Sequence, residues 1–556
     1  MILAAGRSDD RLPYRSLCAG IGLSLRQLRL RKTRALRLIL GLATLLYFSF
    51  STGSEPPAAT AVGGANVAGS YTFGTENSWI RIQNIGDADA NIQLTYYDEQ
   101  GRAVTGDGCP SPSCPTMYPG SGWTFFQQYH PGLPLGFQGS AVVTTDQPIV
   151  ALMAKDVWRD GRFSIAGDTM TPGPGSHRMY LPVTSKRDGA NAEWNGRFVI
   201  QNLSETVTAC VTITYLGNFA DDEVAWEPYK PPSGGRPSNP VAGCPNGGMP
   251  LAPRGSIFRH PDSMPVPSAF TGSVRVDLHK NGQGLGPERQ FISATADTWN
   301  ANTSSFSSYR GFDEGELNKE IVLPLIDREV GPRNSYSTRF QIMNRSPSRP
   351  AQVTLVIEGY DLSSGEPVYV AKSNTLTIRA SRMCYQDRDD ENNCLAAGDR
   401  LPFNFVGTVR LTSTEPIAAV VLRGTWFNDT FTDYRAIRPQ DGARRILLPV
   451  LNKHYGAVAG VGNGWGSWFR VMVADGGWAN VKVTYYGIDL PGGSVSYTLL
   501  VNREFTSFQY AEWLLPAGFA GTAIIESDRP VVALANLFND LLPGDPDLLY
   551  NGISLD

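Results

Sequence analysis

A four-residue motif recurs four times along the chain and constrains its fold more than any other feature. Each copy is a phenylalanine, any residue, a glycine, and a serine or threonine; the copies are 137–140, 270–273, 405–408 and 519–522. Each begins an alternating apolar segment, which is typical of a strand with one packed and one solvated face. The recurrence indicates four internal repeats.

A proline follows the motif phenylalanine after eleven residues in three of the repeats and begins a second apolar segment: Pro148, Pro416 and Pro530. We interpret the two segments as a hairpin with the proline after its turn. In repeat 2 a longer loop beginning at His279 replaces this turn. We expect the motif phenylalanine to fill a core, and the glycine to supply either a positive φ or a close backbone approach.

A second pair of alternating segments precedes each motif. The first segment is 80–84, 198–202, 340–344 or 469–473, and in repeats 1 to 3 it ends in asparagine. Short polar links to the next segment predict a second hairpin. A Leu-Pro-Val or Leu-Pro-Leu sequence opens repeats 2 to 4, at 181–183, 323–325 and 448–450, whereas repeat 1 lacks this opener.

The pattern predicts an all-β fold, because each repeat holds roughly six to eight short strands separated by turns, as antiparallel sandwiches do. The 58 glycines and 39 prolines fit this many turns. Four tandem β-sandwich domains are expected, at 64–170, 179–310, 320–437 and 446–556, after an N-terminal segment 1–61. Short linkers predict a semi-rigid row of domains.

The repeats resemble the tandem Ig-like β-sandwich modules of exported bacterial surface proteins. The resemblance covers about 64–556 and rests on the Phe-x-Gly-Ser/Thr motif and the paired segments that precede it. These are packing and turn features, so the resemblance is architectural and implies no catalytic residues. It implies a surface stalk or an adhesin-like role.

The N-terminal segment has the charge and length of a targeting signal. Residues 1–37 carry nine Arg or Lys, and the 13 residues 38–50 carry no charge. This core suits a signal peptide better than a spanning helix, which needs about 20 apolar residues. Ala59–Ala61 fits a cleavage site, while an uncleaved signal anchor is the alternative. Either outcome makes the protein extracytoplasmic, secreted or anchored in the membrane with its repeats outside.

Charge and cysteine usage restrict the partners and the compartment. Downstream of residue 37 there are 39 basic and 50 acidic residues, so nucleic acid is an unfavourable partner. Cys18 precedes the apolar core, and the other six cysteines fall two to each of repeats 1 to 3, while repeat 4 has none. Pairing within repeats is the simplest of 15 connectivities: Cys109 with Cys114, Cys210 with Cys244, and Cys384 with Cys394. Such disulfides require an oxidising compartment.

The sequence contains no recognisable catalytic constellation. The five histidines do not fall at metal-ligand spacing, and no H-E-x-x-H, G-x-S-x-G or P-loop sequence occurs. The recurring residues are apolar or turn-forming, which favours a non-enzymatic protein without a cofactor. One acidic loop, with Asp387, Asp389, Asp390 and Glu391, is a candidate calcium site; it departs from the EF-hand pattern, and a solvated polar loop is the alternative.

Two groups of aromatic residues are candidates for ligand contact. Trp158, Trp299 and Trp426 recur near one strand end, where they suit either domain-boundary packing or sugar stacking. Trp465, Trp468 and Trp478 occur in repeat 4 alone and form the candidate contact surface, with core packing as the alternative.

The function expected from these features is a non-enzymatic exported scaffold, stalk or adhesin-like protein. Its partner would be an unidentified surface ligand, either a glycan or an envelope component. The alternative function is a carbohydrate-binding or, less favoured, a carbohydrate-active surface protein that uses exposed aromatic residues.

Overall fold

The computed structural model describes residues 75–556 except 113, 171–174, 219–243, 245–247, 280–290, 332–335, 389–390, 397, 426–429 and 488. In this part the chain is all-β, with antiparallel sheets as predicted and a few short 3-10 helices. Residues Tyr71–Asp556 form one compact unit. No helix among the described residues is long and apolar enough to cross a membrane, and the predicted targeting segment lies outside them.

The strands follow the repeats in sequence order. Repeat 1 contains β1 (Thr75–Asn84), β2 (Ile92–Asp98), β3 (Ala103–Cys109), β4 (Gly122–Phe126), β5 (Gly139–Thr145), β6 (Ile149–Arg159) and β7 (Arg162–Thr169). Repeat 2 contains β8 (Arg178–Lys186), β9 (Trp194–Asn202), β10 (Ala209–Gly217), β11 (Met249–Leu251), β12 (Ser256–Arg259), β13 (Phe270–His279), β14 (Ile292–Asn300), β15 (Phe306–Arg310) and β16 (Phe312–Asp313).

Repeat 3 contains β17 (Asn318–Arg328), β18 (Ser337–Asn344), β19 (Ala351–Asp361), β20 (Val368–Ile378), β21 (Ser381–Tyr385), β22 (Phe405–Gly424) and β23 (Phe431–Arg435). Repeat 4 contains β24 (Ala443–Lys453), β25 (Trp465–Val473), β26 (Trp478–Tyr486), β27 (Ser494–Asn502), β28 (Glu504–Phe508), β29 (Phe519–Asn539), β30 (Gly544–Asp545), β31 (Asp547–Asn551) and β32 (Ile553–Ser554). The 3-10 helices described are Gln127–Tyr129, Pro261–Ser263, Glu391–Asn393, Pro439–Asp441, Pro491–Gly493 and Gln509–Ala511.

Both predicted hairpins are wrong, because the two segments of each do not pair with each other in the described ladders. In repeat 1, β1 pairs with β4 and β6, whereas β2 pairs with β3 and β5. In repeat 3 the two segments around Pro416 are one long strand, β22, whose first half pairs with β19 and whose second half pairs with β18. Alternation identifies a strand but not its partner, and a bend containing proline lets a chain pass from one sheet to the facing one.

An asparagine is the last residue of the segments 80–84, 198–202 and 340–344 in repeats 1 to 3, and its side chain stabilises the link that leads the chain from this strand to its next set of strand partners. Asn84 is fully buried, and its amide nitrogen donates to the carbonyls of Ala88 and Met117, each at 2.8 Å. Its side-chain oxygen accepts the Gly86 backbone N–H. Asn202 and Asn344 make equivalent sets of bonds. The side chain therefore satisfies backbone groups that leave the sheet at this point.

The motif phenylalanines fill the cores, as expected. Phe270, Phe405 and Phe519 are fully buried, and Phe137 packs against the core of repeat 1 while remaining half-buried. A Cβ on any motif glycine would lie 2.6–2.8 Å from the tip of its own phenylalanine ring and would also overlap a carbonyl of the neighbouring strand. The glycine thus permits a close approach. The positive φ belongs instead to the residue before each phenylalanine, as at Asn404 (57°).

A buried tyrosine on the last strand explains the Leu-Pro opener of repeats 2 to 4. The opener lies in a bulge of the first strand, where ladder pairing shifts between Leu323 and Ile326. The Tyr434 hydroxyl donates to the Leu325 carbonyl (2.6 Å) and accepts the Leu325 N–H (3.1 Å). Tyr309 and Tyr550 bind Val183 and Val450 in the same way. The tyrosine therefore replaces the strand partner that the bulge removes.

The last long strands of the four repeats meet in a closed cycle. Strand β7 contacts β15, β15 contacts β23, β23 contacts β31, and β31 contacts β7. The cycle closes between repeat 4 and repeat 1, where β30 pairs in parallel with β7. The expectation of a row of domains is therefore wrong. A row would leave the edge of β7 free, whereas here it is paired and its Phe163 is buried.

The same interface recurs at three junctions of this cycle. Leu181 of repeat 2 shares a buried cluster with Val420 of repeat 3. At equivalent positions, Leu323 clusters with Leu534, and Leu448 of repeat 4 clusters with Leu152 of repeat 1. The first strands of repeats 2 to 4 thus belong to buried clusters that continue into the next repeat of the cycle.

Candidate functional sites

The three predicted disulfides are formed. Cys109–Cys114, Cys210–Cys244 and Cys384–Cys394 each lie within one repeat, with Cα separations of 5.1, 5.6 and 5.3 Å. Each tethers a loop segment, and all six cysteines are buried. Three disulfides are consistent with an extracytoplasmic location.

The candidate calcium loop is only partly described. Asp387 is exposed, Glu391 begins the 3-10 helix Glu391–Asn393, and Asp389 and Asp390 lie outside the described residues. Among the residues that are described, no group of three or more His, Cys, Asp or Glu side chains is placed to hold a metal ion.

The structure does not bring Trp465, Trp468 and Trp478 together. Trp465 is half-buried and meets Phe163 of repeat 1 edge-on at 6.3 Å. Trp468 packs against the core of repeat 3, under the guanidinium of Arg423. Both therefore serve junctions between repeats. Trp478 begins β26, which pairs with β27 and the first part of β29, and it is 46% exposed.

The recurrent tryptophans at the strand ends also differ from one another. Trp299 is buried in a cluster with Val157, Ala166 and Phe306, between repeats 1 and 2, as a boundary plug would be. Trp158 is partly exposed and packs edge-on against Phe163 at 5.1 Å. Trp426 lies outside the described residues.

One aspartate of repeat 4 contacts all three other repeats. Asp545 is fully buried, and its two carboxylate oxygens accept the backbone N–H groups of Phe306 (3.0 Å) and Phe431 (2.9 Å). These are the first residues of the last long strands of repeats 2 and 3. Its own backbone lies opposite Ser164 in the β30–β7 pairing. Asp545 therefore holds the centre of the cycle through charge-assisted bonds.

A second buried carboxyl, Asp433 on β23, lies close to other acidic groups. Burial raises the pKa of Asp433 well above its ordinary value; a hydrogen bond from Ser307 opposes the shift, and the charges of Asp168 and Asp297 add to it. The protonated acid is thus the form that the folded protein favours.

Asp297, in contrast, has cationic partners. Lys155 of repeat 1 reaches it at 2.7 Å, and Arg197 binds it at 2.6 Å while also forming a bidentate pair with Glu76 of repeat 1. Burial opposes ionisation of Asp297, but Lys155 and Arg197 outweigh burial and hold its pKa well below the usual range. The network therefore joins repeats 1 and 2 as ion pairs.

The most exposed tryptophan described, Trp513, lies on a loop that the sequence interpretation did not single out. Strand β28 ends at Phe508, and Tyr510 and Trp513 follow within five residues. Trp513 is 84% exposed and Tyr510 is 53% exposed. Aligning the repeats on their motif phenylalanines would have shown this loop, since Phe126 of repeat 1 and Phe508 both stand eleven residues before that phenylalanine.

A surface groove on repeat 3 offers little for catalysis. It is lined by Asp361, Tyr369, Lys372 and Arg400, among others. Lys372 pairs with Asp399. The groove is open and lacks the enclosed, mostly apolar character of small-molecule sites.

No protein-family model and no curated protein matches the chain. One solved structure, titled "Structure of infectious bursal disease virus Gt strain", aligns with 11% identity over 87% of this chain and 85% of its own, at a TM-score of 0.11. A similarity at this level carries no argument about fold or function.

Proposed function

We propose that this protein is a non-enzymatic, extracytoplasmic structural protein. Its four repeats would each be an Ig-like β-sandwich, and together they would form one rigid platform at the cell surface. The observation that carries the proposal is the closed cycle of last strands, in which β30 returns to pair with β7.

The use of the recurring residues supports a structural role. The motif phenylalanines and glycines pack cores, the last-strand tyrosines satisfy bulges, and the opener leucines pack one repeat on the next. The buried carboxyls Asp433 and Asp545 lie between the repeats, away from solvent that could deliver a substrate. Repetition thus serves stability, and closure favours a compact platform over the extended stalk that a row of domains would form.

The predicted targeting segment and the disulfides support the proposed location. The basic residues of 1–37 would stay in the cytoplasm while 64–556 are exported, either cleaved or anchored. Three disulfides within repeats would then form in an oxidising compartment.

The test is protease accessibility in the native host. Protease added to intact cells or spheroplasts should digest the repeats, while a cytoplasmic marker protein stays intact. Complete protection of the repeats in spheroplasts, with digestion only after lysis, would contradict the proposal.

Carbohydrate binding is the second candidate. Trp465 and Trp468, which the sequence analysis named as candidate contact residues, pack at junctions between repeats. A sugar site would therefore need other aromatic residues. The exposed loop after Phe508 supplies them.

A further inference from the structure

We propose that Phe508, Tyr510 and Trp513 form a binding platform for a neutral polysaccharide. The inference deepens the proposed surface role and rests on it for the compartment in which such a ligand is met. We call these three side chains the repeat 4 platform.

The platform is presented by a well-anchored loop. Phe508 and Tyr510 lie with ring centroids 5.5 Å apart and rings tilted at 48°. Between them, Gln509 is fully buried and its amide donates to the hydroxyls of Tyr485 and Ser507. Alternate residues therefore point into the core and out to solvent.

A second anchor holds the loop beyond Tyr510. The ammonium of Lys453 donates to the carbonyls of Glu512 (2.6 Å) and Leu515 (2.9 Å), and the Leu515 side chain is buried in the core. Trp513 projects between these two held positions. A ligand would therefore meet rings whose backbone is already ordered, which lowers the entropic cost of binding.

The exposed rings are not needed for the fold. The corresponding 3-10 turn of repeat 2, Pro261–Ser263, carries proline, aspartate and serine, yet that repeat builds the same strands around it. Leaving a tryptophan largely in water forgoes the stabilisation that its burial would give. A role in contact with a ligand accounts for the aromatic side chains in repeat 4.

The chemistry of the platform selects a neutral sugar polymer. Flat aromatic faces stack on the C–H face of a pyranose ring. Glu512 precedes Trp513 in the chain; its Oε1 accepts the Leu514 backbone N–H at 3.2 Å, and its carboxylate can also accept hydrogen bonds from sugar hydroxyls. The excess of acidic residues downstream of residue 37 repels anionic ligands. A carboxylate next to the tryptophan also disfavours insertion into a lipid interface, since burying a charge is costly.

Repeat 1 carries a related set of rings. Trp79 and Phe126 face each other across β1 and β4 with centroids 6.5 Å apart, and Phe126 lies 6.1 Å from Tyr129, which is 76% exposed. Repeats 1 and 4 are neighbours in the cycle. A polymer that contacts both sets would gain avidity that a short oligosaccharide cannot.

The experiment measures retention of the full chain on insoluble cellulose, chitin and xylan, with phosphatidylcholine vesicles as a separate probe. In the polysaccharide assay the protein is kept in a detergent that carries no sugar headgroup, and the vesicle assay is run without detergent. We expect saturable retention on at least one polysaccharide. Trp513→Ala and Tyr510→Ala should each weaken it about tenfold, as loss of one stacked ring would.

Trp478→Ala is the matched control, because Trp478 is an exposed tryptophan of the same repeat on β26, which does not pair with β28. It should retain wild-type binding within about twofold. All three variants should unfold at the wild-type temperature, since none of these side chains is buried.

Three outcomes would overturn the inference. They are absence of retention on every polysaccharide, equal effects of Trp513→Ala and Trp478→Ala, and Trp513-dependent binding to vesicles alone, which would indicate a membrane contact instead. The protease-accessibility test is independent: protected repeats would contradict the surface location whatever the purified protein binds.

Discussion

Replacing Asp545 with asparagine tests whether the four repeats are held together at their common centre. The change keeps the size of the side chain but removes its charge and one of its two acceptor oxygens. Phe306 and Phe431 both donate backbone N–H groups to this carboxylate. The single side-chain oxygen of asparagine can accept only one of these two N–H groups, and the asparagine N–H₂ group then faces the other donor.

The cost follows from these two bonds. A hydrogen bond to a charged group contributes about 1.5–3 kcal/mol, and a buried donor left unpaired costs about 1–3 kcal/mol. We therefore expect Asp545→Asn to lower the free energy of unfolding by about 2–4 kcal/mol, a large part of the stability of an ordinary domain.

Asp540→Asn provides the control from the same segment. Asp540 also accepts two N–H donors, the backbone and side-chain nitrogens of Asn463, but it is exposed. Water can replace its lost bond, so the cost should stay below about 1 kcal/mol.

The assay is urea-induced unfolding followed by tryptophan fluorescence and circular dichroism. If the cycle makes the repeats one cooperative unit, the two signals should coincide in the wild-type protein. Asp545→Asn should move the midpoint to lower urea or separate the two transitions. Equal midpoints for Asp545→Asn and Asp540→Asn would refute the assignment of Asp545 as the centre of the cycle.

Four further predictions follow from other contacts. Tyr434→Phe leaves both backbone groups of Leu325 unpaired and should cost about 2–4 kcal/mol in the same unfolding assay. Phe405→Ala should cost about 3–5 kcal/mol and lower one shared transition, because its cluster includes residues of repeat 4; calorimetry showing loss of repeat 3 alone would contradict this. The pKa of Asp433 is higher in the folded protein than in the unfolded chain. The stability that Asp433 provides is therefore fully present below the unfolded pKa, about pH 4, and is lost as the pH rises through the folded pKa. Asp433→Asn should therefore raise the melting temperature at pH 8 and leave it nearly unchanged at pH 4. Alkylation of the unreduced full chain followed by peptide mapping should label Cys18 alone; labelling of any other cysteine would contradict the pairing.

Local features of this fold could be predicted from the sequence because each carries its own physical requirement. Phe405 is an aromatic residue at the start of an alternating segment, and burial is its simplest fate. The glycine two residues later, Gly407, has no side chain to clash with the ring above it. The cysteine pairs followed from their even distribution, since each pair closes a loop within one repeat.

The partners of the strands could not be predicted in the same way. Alternation in β1 and β2 is equally compatible with a hairpin and with two facing sheets, because both bury every second residue. Which of the two arrangements forms depends on the link between β1 and β2, where the buried Asn84 side chain donates hydrogen bonds to the carbonyls of Ala88 and Met117. The asparagine was visible in the sequence, but its bonds depend on the fold.

The platform was missed for a different reason. Tyr510 and Trp513 lie in an irregular loop, and a single sequence does not distinguish an exposed aromatic side chain from a buried one. The buried Gln509 and Leu515 around them fix which way they project. The tryptophans that the sequence did single out, Trp465 and Trp468, come from a strand, and strands in this protein are covered on both faces near the junctions.

Closure of the cycle follows from one interface used repeatedly. When the same head-to-tail contact joins successive copies, the assembly forms a ring if the rotations add to a full turn, and an open helix otherwise. Here Leu181 shares a buried cluster with Val420, Leu323 with Leu534 and Leu448 with Leu152, at equivalent positions of three junctions. The third joins repeat 4 to repeat 1, so the rotation closes after four repeats. From the sequence alone, a residue such as Leu448 is predicted to lie in the core of its own repeat. The hydrophobic effect has no direction, so an apolar residue does not indicate whether it is buried within its own repeat or against the next one.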